Sequence, residues 1–197
     1  MLHIPGRPTG GALALTHGAG SDCRAPLLSL VARAFAGAGL LVLRYDLPYR
    51  QRRSNGPPPA SSAARDREGV ARAVEMLRAR AAGPVIAGGH SYGGRQTAMA
   101  AASDPRMADA LLLLSYPLHP PGHPEKPRTA FFPEWRAPAL FVHGSRDPFG
   151  TLEEMREALR RIPAPVLLMP VEGARHDLQS PGLAPSAVES LRRLVVF

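Results

Sequence analysis

The sequence predicts an α/β fold, a mostly parallel sheet of about six strands with helices on both faces. Three observations lead there. Short apolar runs alternate with longer segments of helical periodicity from residue 12 to the end. Such alternation builds parallel sheets, because each crossover helix covers one face. The runs are nearly continuous in Val, Leu, Ile and Ala, as strands buried on both faces require. A length of 197 residues fits one domain, residues 1–197, with room for a sizeable core.

The elements follow in order. Leu13–Thr16 reads as a strand, and Pro26–Ala38 as a helix ended by Gly39. Leu40–Tyr45 is the second strand, followed by a proline-rich loop from Pro48 to Pro59. A helix over Ser62–Ala81 places Val70, Val74 and Leu77 on one face. Strand Pro84–Ala87 and the Ala-rich helix Arg95–Ala102 flank the glycine-rich segment Gly88–Gly94. Then come strand Ala110–Leu114, loop Ser115–Arg136 and strand Ala139–His143. Helix Thr151–Arg161, strand Val166–Met169 and a last helix over Pro185–Val195 complete the chain, which shows no internal repeat.

The glycine-rich segment carries the chemistry. Gly89-His90-Ser91-Tyr92-Gly93 is a G-x-S-x-G match with a strand before it and a helix after it. A serine on so sharp a turn is exposed, and glycines are needed where strand and helix cross. The first N–H groups of the helix then point at whatever binds there. Serine is a weak nucleophile near neutral pH and needs a base, which in turn needs an orienting acid. Both lie downstream, each in a loop after a strand: Asp147 follows Ala139–His143, and His176 follows Val166–Met169. We assign Ser91 as nucleophile, His176 as base and Asp147 as orienter. Asp177 and Asp46 are the acids not chosen. His17-Gly18-Ala19-Gly20 follows the first strand, and small residues there allow close approach to a substrate. The backbone N–H groups of Ala19 and Tyr92 are the expected donors to an oxyanion.

These motifs resemble the α/β-hydrolases, in particular the small dienelactone-hydrolase-like branch. The stretches Leu43-Arg44-Tyr45-Asp46-Leu47-Pro48-Tyr49 and Ser115-Tyr116-Pro117-Leu118-His119-Pro120-Pro121-Gly122 are similar to the family that contains testis-expressed protein 30 and a subunit of the chromatin-associated NSL complex. The resemblance covers nearly the whole chain and implies an acyl-enzyme mechanism without a cofactor. The usual hydrolase sheet has eight strands, so the two N-terminal ones are expected to be absent or reduced to residues before Gly11. Dienelactone hydrolases carry a cysteine at the elbow, whereas this chain has Ser91. The expected function is hydrolysis of a small ester or thioester. The alternative is a non-catalytic interaction module on the same fold, which the chromatin-complex relative motivates.

Further residues could line the pocket: His17, Tyr49, Tyr116 and Phe132. Loop 115–136 stands where many hydrolases insert a lid. Its six prolines between Pro117 and Pro133 rule out a helical cap. It is either a rigid flap carrying Phe131, Phe132 and Trp135 over the site or a crossover whose aromatics cover the core. His119, His123 and His17 show no zinc-type spacing, so no metal is expected.

Composition narrows the class. The formal net charge is +8, yet Lys126 is the only lysine and the arginines are scattered apart from Arg50-Gln51-Arg52-Arg53. With Ala, Gly and Pro abundant, the charge reads as compositional bias rather than as a specific nucleic-acid partner. Met1–Gly11 has no apolar signal-like stretch, and no run is long enough to span a bilayer. Cys23 stands alone, so no intramolecular disulfide can form. A cytoplasmic location without membrane attachment is the expectation; the oligomeric state is open.

Overall fold

A computed structural model describes all 197 residues. Seven strands form one sheet in the order β1-β3-β2-β4-β5-β6-β7. They are β1 Leu2–His3, β2 Ala12–Thr16, β3 Leu41–Tyr45, β4 Val85–His90, β5 Ala110–Leu114, β6 Ala139–Gly144 and β7 Val166–Val171. All pairs are parallel except β1 with β3. The expected six strands are therefore joined by a seventh. Its two residues are too few to show a period, and it is held as an edge by pairing Leu2 with Leu43 and His3 with Val42.

The pleat sorts side chains between two cores. Along β2, Ala12 and Ala14 face one cluster, whereas Leu13 and Leu15 face the other. Helices α1 (Pro26–Gly37) and α6 (Leu183–Arg192) cover the second face with Leu28, Val31, Phe35, Leu183 and Leu191. Helices α3 (Ala63–Arg78), α4 (Tyr92–Ser103) and α5 (Leu152–Leu159) cover the first with Val70, Leu77, Ala98 and Met155. Helix α5 starts at a capping box in which Thr151 and Glu154 each satisfy the other's backbone N–H. The loop from Pro48 holds a short helix, α2 (Pro48–Arg52), which the prolines around it had hidden. Pro48 stands at its first position, where a missing N–H costs nothing.

Loop 115–136 is the crossover and not the flap. Phe132 and Trp135 are fully buried against Tyr116 and Phe141, and Trp135 Nε1 donates to the Ala137 carbonyl at 2.7 Å. Burying these rings on the core outweighs holding them over water. Three non-glycine residues have positive φ: Ser91 (50°), Ser115 (48°) and Leu178 (52°). All three follow the carboxyl ends of strands β4, β5 and β7. No helix is long and apolar enough to cross a membrane.

Candidate active site

Ser91 stands between β4 and α4 at φ 50°, ψ −115°. A side chain rarely adopts this conformation, and the surroundings must impose it. The Ser91 N–H donates to the Leu114 carbonyl of β5, and the Ser91 carbonyl accepts from Arg95 N–H, both at 2.9 Å. Strand and helix cross without room for side chains. A Cβ on Gly89 would lie 2.7 Å from the Gly93 carbonyl carbon, and one on Gly93 would run into the His17 carbonyl oxygen.

His176 is brought up by the turn after β7. Its Nε2 lies 2.8 Å from Ser91 Oγ, and its Nδ1 lies 2.8 Å and 3.0 Å from the two Asp147 oxygens. With Nδ1–H donating to the carboxylate, Nε2 is left to accept the serine proton. The Asp147 carboxylate is fully buried and also accepts from Phe149 N–H at 2.9 Å. Burial pushes its carboxyl up, but the His176 hydrogen bond and charge, with the Phe149 amide, outweigh this and hold it below the usual range. The Phe149 ring packs on His176 at 4.2 Å between centroids and fixes its plane. Gly144 lets the histidine loop close in, because a Cβ there would strike the Ala174 and Arg175 carbonyls. Of the three acids considered, only Asp147 touches the ring. Asp177 is exposed, and Asp46 accepts from Cys23 N–H at 2.7 Å on the far side of His17.

The loop His17–Gly20 faces Ser91. A Cβ on Gly18 would lie 3.5 Å from Ser91 Cβ. Gly93 N–H donates to the His17 carbonyl at 3.1 Å and ties this loop to the helix start. The other loop carbonyls are turned away from the serine. Ala19 O accepts from Tyr49 OH at 2.8 Å and from Arg50 Nη2 at 3.0 Å, and Ser21 O accepts from Arg50 Nε at 3.0 Å. The N–H groups of Ala19 and Tyr92 have no acceptor in the protein. Two free donors beside a strained serine, at the positive end of α4, suit a developing negative charge.

One residue of this assembly escaped the sequence. Asp66 sits among Arg65, Arg67 and Glu68 and reads as a solvated helix face, yet it is fully buried. Its carboxylate accepts from Tyr49 N–H (3.0 Å), Ser62 Oγ (2.9 Å) and Tyr92 OH (2.8 Å). Burial and this carboxylate push the Tyr92 phenol well above its usual range, so it stays a donor. Asp66 thus grips Tyr92 and Tyr49, the residues that position the two free N–H groups. The only sequence signal was its place four residues before Val70 on the apolar stripe.

The four residues expected to line the pocket are placed elsewhere. His17 and Tyr49 are buried behind the loop: His17 Nδ1–H donates to Gly18 O at 2.8 Å, and its Nε2 accepts from Leu47 N–H at 3.1 Å. Tyr116 is buried with its hydroxyl on Arg128 O at 2.6 Å, and Phe132 has no exposed surface. Each is packed inside the fold, with no more than 3% of its surface exposed. His119 bonds Pro120 O and Glu154, and His123 bonds Glu125, so these histidines and His17 do not converge. A cavity of about 580 Å³ between loop 115–136 and α5 touches no residue of the Ser91–His176–Asp147 chain.

Three histidines around the site share one electrostatic fate. His17, His90 and His143 are all pushed below the usual imidazole value, with burial the largest cause in each. The unfolded chain takes up their protons near pH 6.5, whereas the folded chain resists them. Their contribution to stability is therefore present above about pH 6.5 and is lost as pH falls through the lowered values. The unfolding free energy, read from the urea midpoint at constant m, is expected to be level from roughly pH 8 to 7 and then to fall, by up to about 1.4 kcal/mol per pH unit for each histidine. A midpoint unchanged down to roughly pH 5 contradicts this.

A family model described as "Alpha/beta hydrolase domain" matches residues 9–191. The chain belongs to this α/β hydrolase family. Solved structures agree on the fold. The hydrolase is similar to TT1662 from Thermus thermophilus at 26% identity, over 100% of this chain and 93% of that one, with TM-score 0.77. It is similar to a dienelactone hydrolase from Anabaena variabilis at 23% identity, over 98% and 88%, with TM-score 0.74. XC6422 from Xanthomonas campestris, described as an a/b serine hydrolase without lid, matches at 16% identity over 100% and 88%, with TM-score 0.74.

Proposed function

We propose that this α/β hydrolase is a serine hydrolase that cleaves an ester or thioester through an acyl-enzyme. The observation that carries the reading is the continuous Ser91–His176–Asp147 chain of 2.8 Å contacts beside the free N–H groups of Ala19 and Tyr92. Ser91 Oγ bonds to the substrate carbonyl carbon as its proton passes to His176 Nε2. The carbonyl oxygen takes up the negative charge against the two N–H groups. The carbon–leaving-group bond breaks as the departing alcohol or thiol receives the proton from His176. Water then repeats the sequence, giving the acid and restoring Ser91. Asp147 remains ionised and holds the imidazolium, as its lowered carboxyl favours.

A fluorophosphonate probe tests the reading directly, because it labels only an activated serine. Covalent labelling of the folded protein is expected, and its complete loss in Ser91→Ala. A folded protein that stays unlabelled favours the interaction module, the reading that the likeness to the NSL-complex subunit suggests.

A further inference from the structure

We propose that His143 is a positioning residue of this site, holding the turn that aims the Asp147 carboxylate at His176. Its effect on rate rests on the serine-hydrolase reading above. His143 stands one residue before the end of β6, and the turn 145–150 that follows carries Asp147. Within the turn, Asp147 N–H donates to Gly144 O at 3.2 Å and Gly150 N–H to Asp147 O at 3.4 Å. Both are longer than the usual amide bond of about 2.9 Å. The short closure comes from a side chain. His143 Nε2–H reaches across the turn to Gly150 O at 2.8 Å. The same nitrogen lies 3.9 Å from Asp147 Oδ2, the oxygen that accepts His176 Nδ1–H at 2.8 Å. His143 therefore ties down the turn whose carboxylate His176 uses.

Packing alone does not call for a histidine here. The ring has no exposed surface, and its Nδ1 is buried with no hydrogen-bond partner in the protein. Burying such a nitrogen is unfavourable, and a leucine would fill much the same space without it. What leucine lacks is the N–H aimed at Gly150. The ring also stays neutral. Burial pushes it below the usual imidazole value, and a second proton would sit on Nδ1 with nothing to receive it. Asp147 and His176 are the ionisable groups it faces. An imidazolium 3.9 Å from Oδ2 would compete with His176 for the carboxylate. The neutral ring braces the turn and leaves the charge of Asp147 to His176, which the base needs as it takes the serine proton.

The test compares the wild type with His143→Leu, His143→Asn and His143→Gln. The Gln amide reaches the place of Nε2, whereas the Asn amide stops near that of Nδ1, too short for Gly150. On p-nitrophenyl acetate, His143→Leu and His143→Asn are expected to lose about 100-fold in kcat, the cost of a reacting group misplaced by roughly 1 Å, with little change in KM. His143→Gln should recover most of that loss. Proton NMR reads the contact itself. The far-downfield resonance of His176 Nδ1–H on Asp147 should be present in the wild type and His143→Gln and lost in the other two. A merely structural histidine would lower the urea midpoint in all three variants and leave kcat and this resonance unmoved in the folded protein; that result overturns the inference. So does a His143→Gln protein no better than His143→Leu. Should neither His143→Leu nor His143→Asn fold, nitrogen-15 spectra of the wild type decide: a His143 proton on Nε2 supports the inference and one on Nδ1 overturns it. Loss of the resonance in His143→Leu, with no ester turnover by the wild type, removes the serine hydrolase and keeps the positioning. Equal turnover by all four proteins removes the positioning and keeps the hydrolase.

Discussion

Ser91→Ala and His176→Ala are each expected to lower kcat on an ester by about four to six orders of magnitude, and the double variant to be hardly worse than either. The geometry explains the non-additivity. The hydroxyl is nucleophilic only through the 2.8 Å contact with Nε2, and the imidazole has no other proton to take from the enzyme. Losses that multiply in the double variant would show two independent contributions and break the shared mechanism. Folding should survive Ser91→Ala. The turn is fixed by backbone bonds to Leu114 and Arg95, not by the hydroxyl. Circular dichroism and the urea midpoint of the single variants check this.

Asp66→Ala is expected to damage stability and activity together. The buried Tyr49 amide and the partly buried Tyr92 phenol would lose their acceptor, whereas the Ser62 hydroxyl keeps the Pro59 carbonyl. An orphaned buried donor costs about 1–3 kcal/mol, so a loss of roughly 2–4 kcal/mol is expected. What survives at low temperature should have a lowered kcat and little change in KM. The free N–H groups act on the transition state rather than on bound ester. Asp66→Asn keeps one acceptor oxygen and should recover part of both losses. Full activity in a folded Asp66→Ala protein would show that neither tyrosine needs the carboxylate to stay in place.

Much of the fold was legible because strands buried on both faces leave long apolar runs, as at Leu111–Leu114. The assembly of Ser91, His176 and Asp147 was legible for a different reason. Each stands in a loop straight after a strand, so the sheet alone brings them to one rim. Strand β1 falls among the residues before Gly11 where a reduced N-terminal strand is expected, but its two residues carry no period, so its exact place and pairing were illegible. Helix α2 was hidden by its prolines, although Pro48 opens it. Asp66 was missed because burial of a carboxylate depends on partners far off in sequence, here Tyr92 twenty-six residues away. Tyr116 and Phe132 were misplaced because a proline-rich loop does not reveal which side its aromatics face. Arg50 stands in the one basic cluster of the sequence, yet it bonds four backbone carbonyls, which no local pattern reveals.

Three side-chain-bearing residues, Ser91, Ser115 and Leu178, are held in the left-handed region along one rim of the sheet. Each such placement costs on the order of 1–3 kcal/mol, against a total stability of about 5–15 kcal/mol for a domain. The rim is therefore a net debtor in the fold, and the two cores behind it carry the difference. Wear is then distributed unevenly. A substitution deep in either core, far from any chemistry, weakens the frame that keeps the rim bent, so the first property to fade should be the sharpness of the turn and not the shape of the sheet.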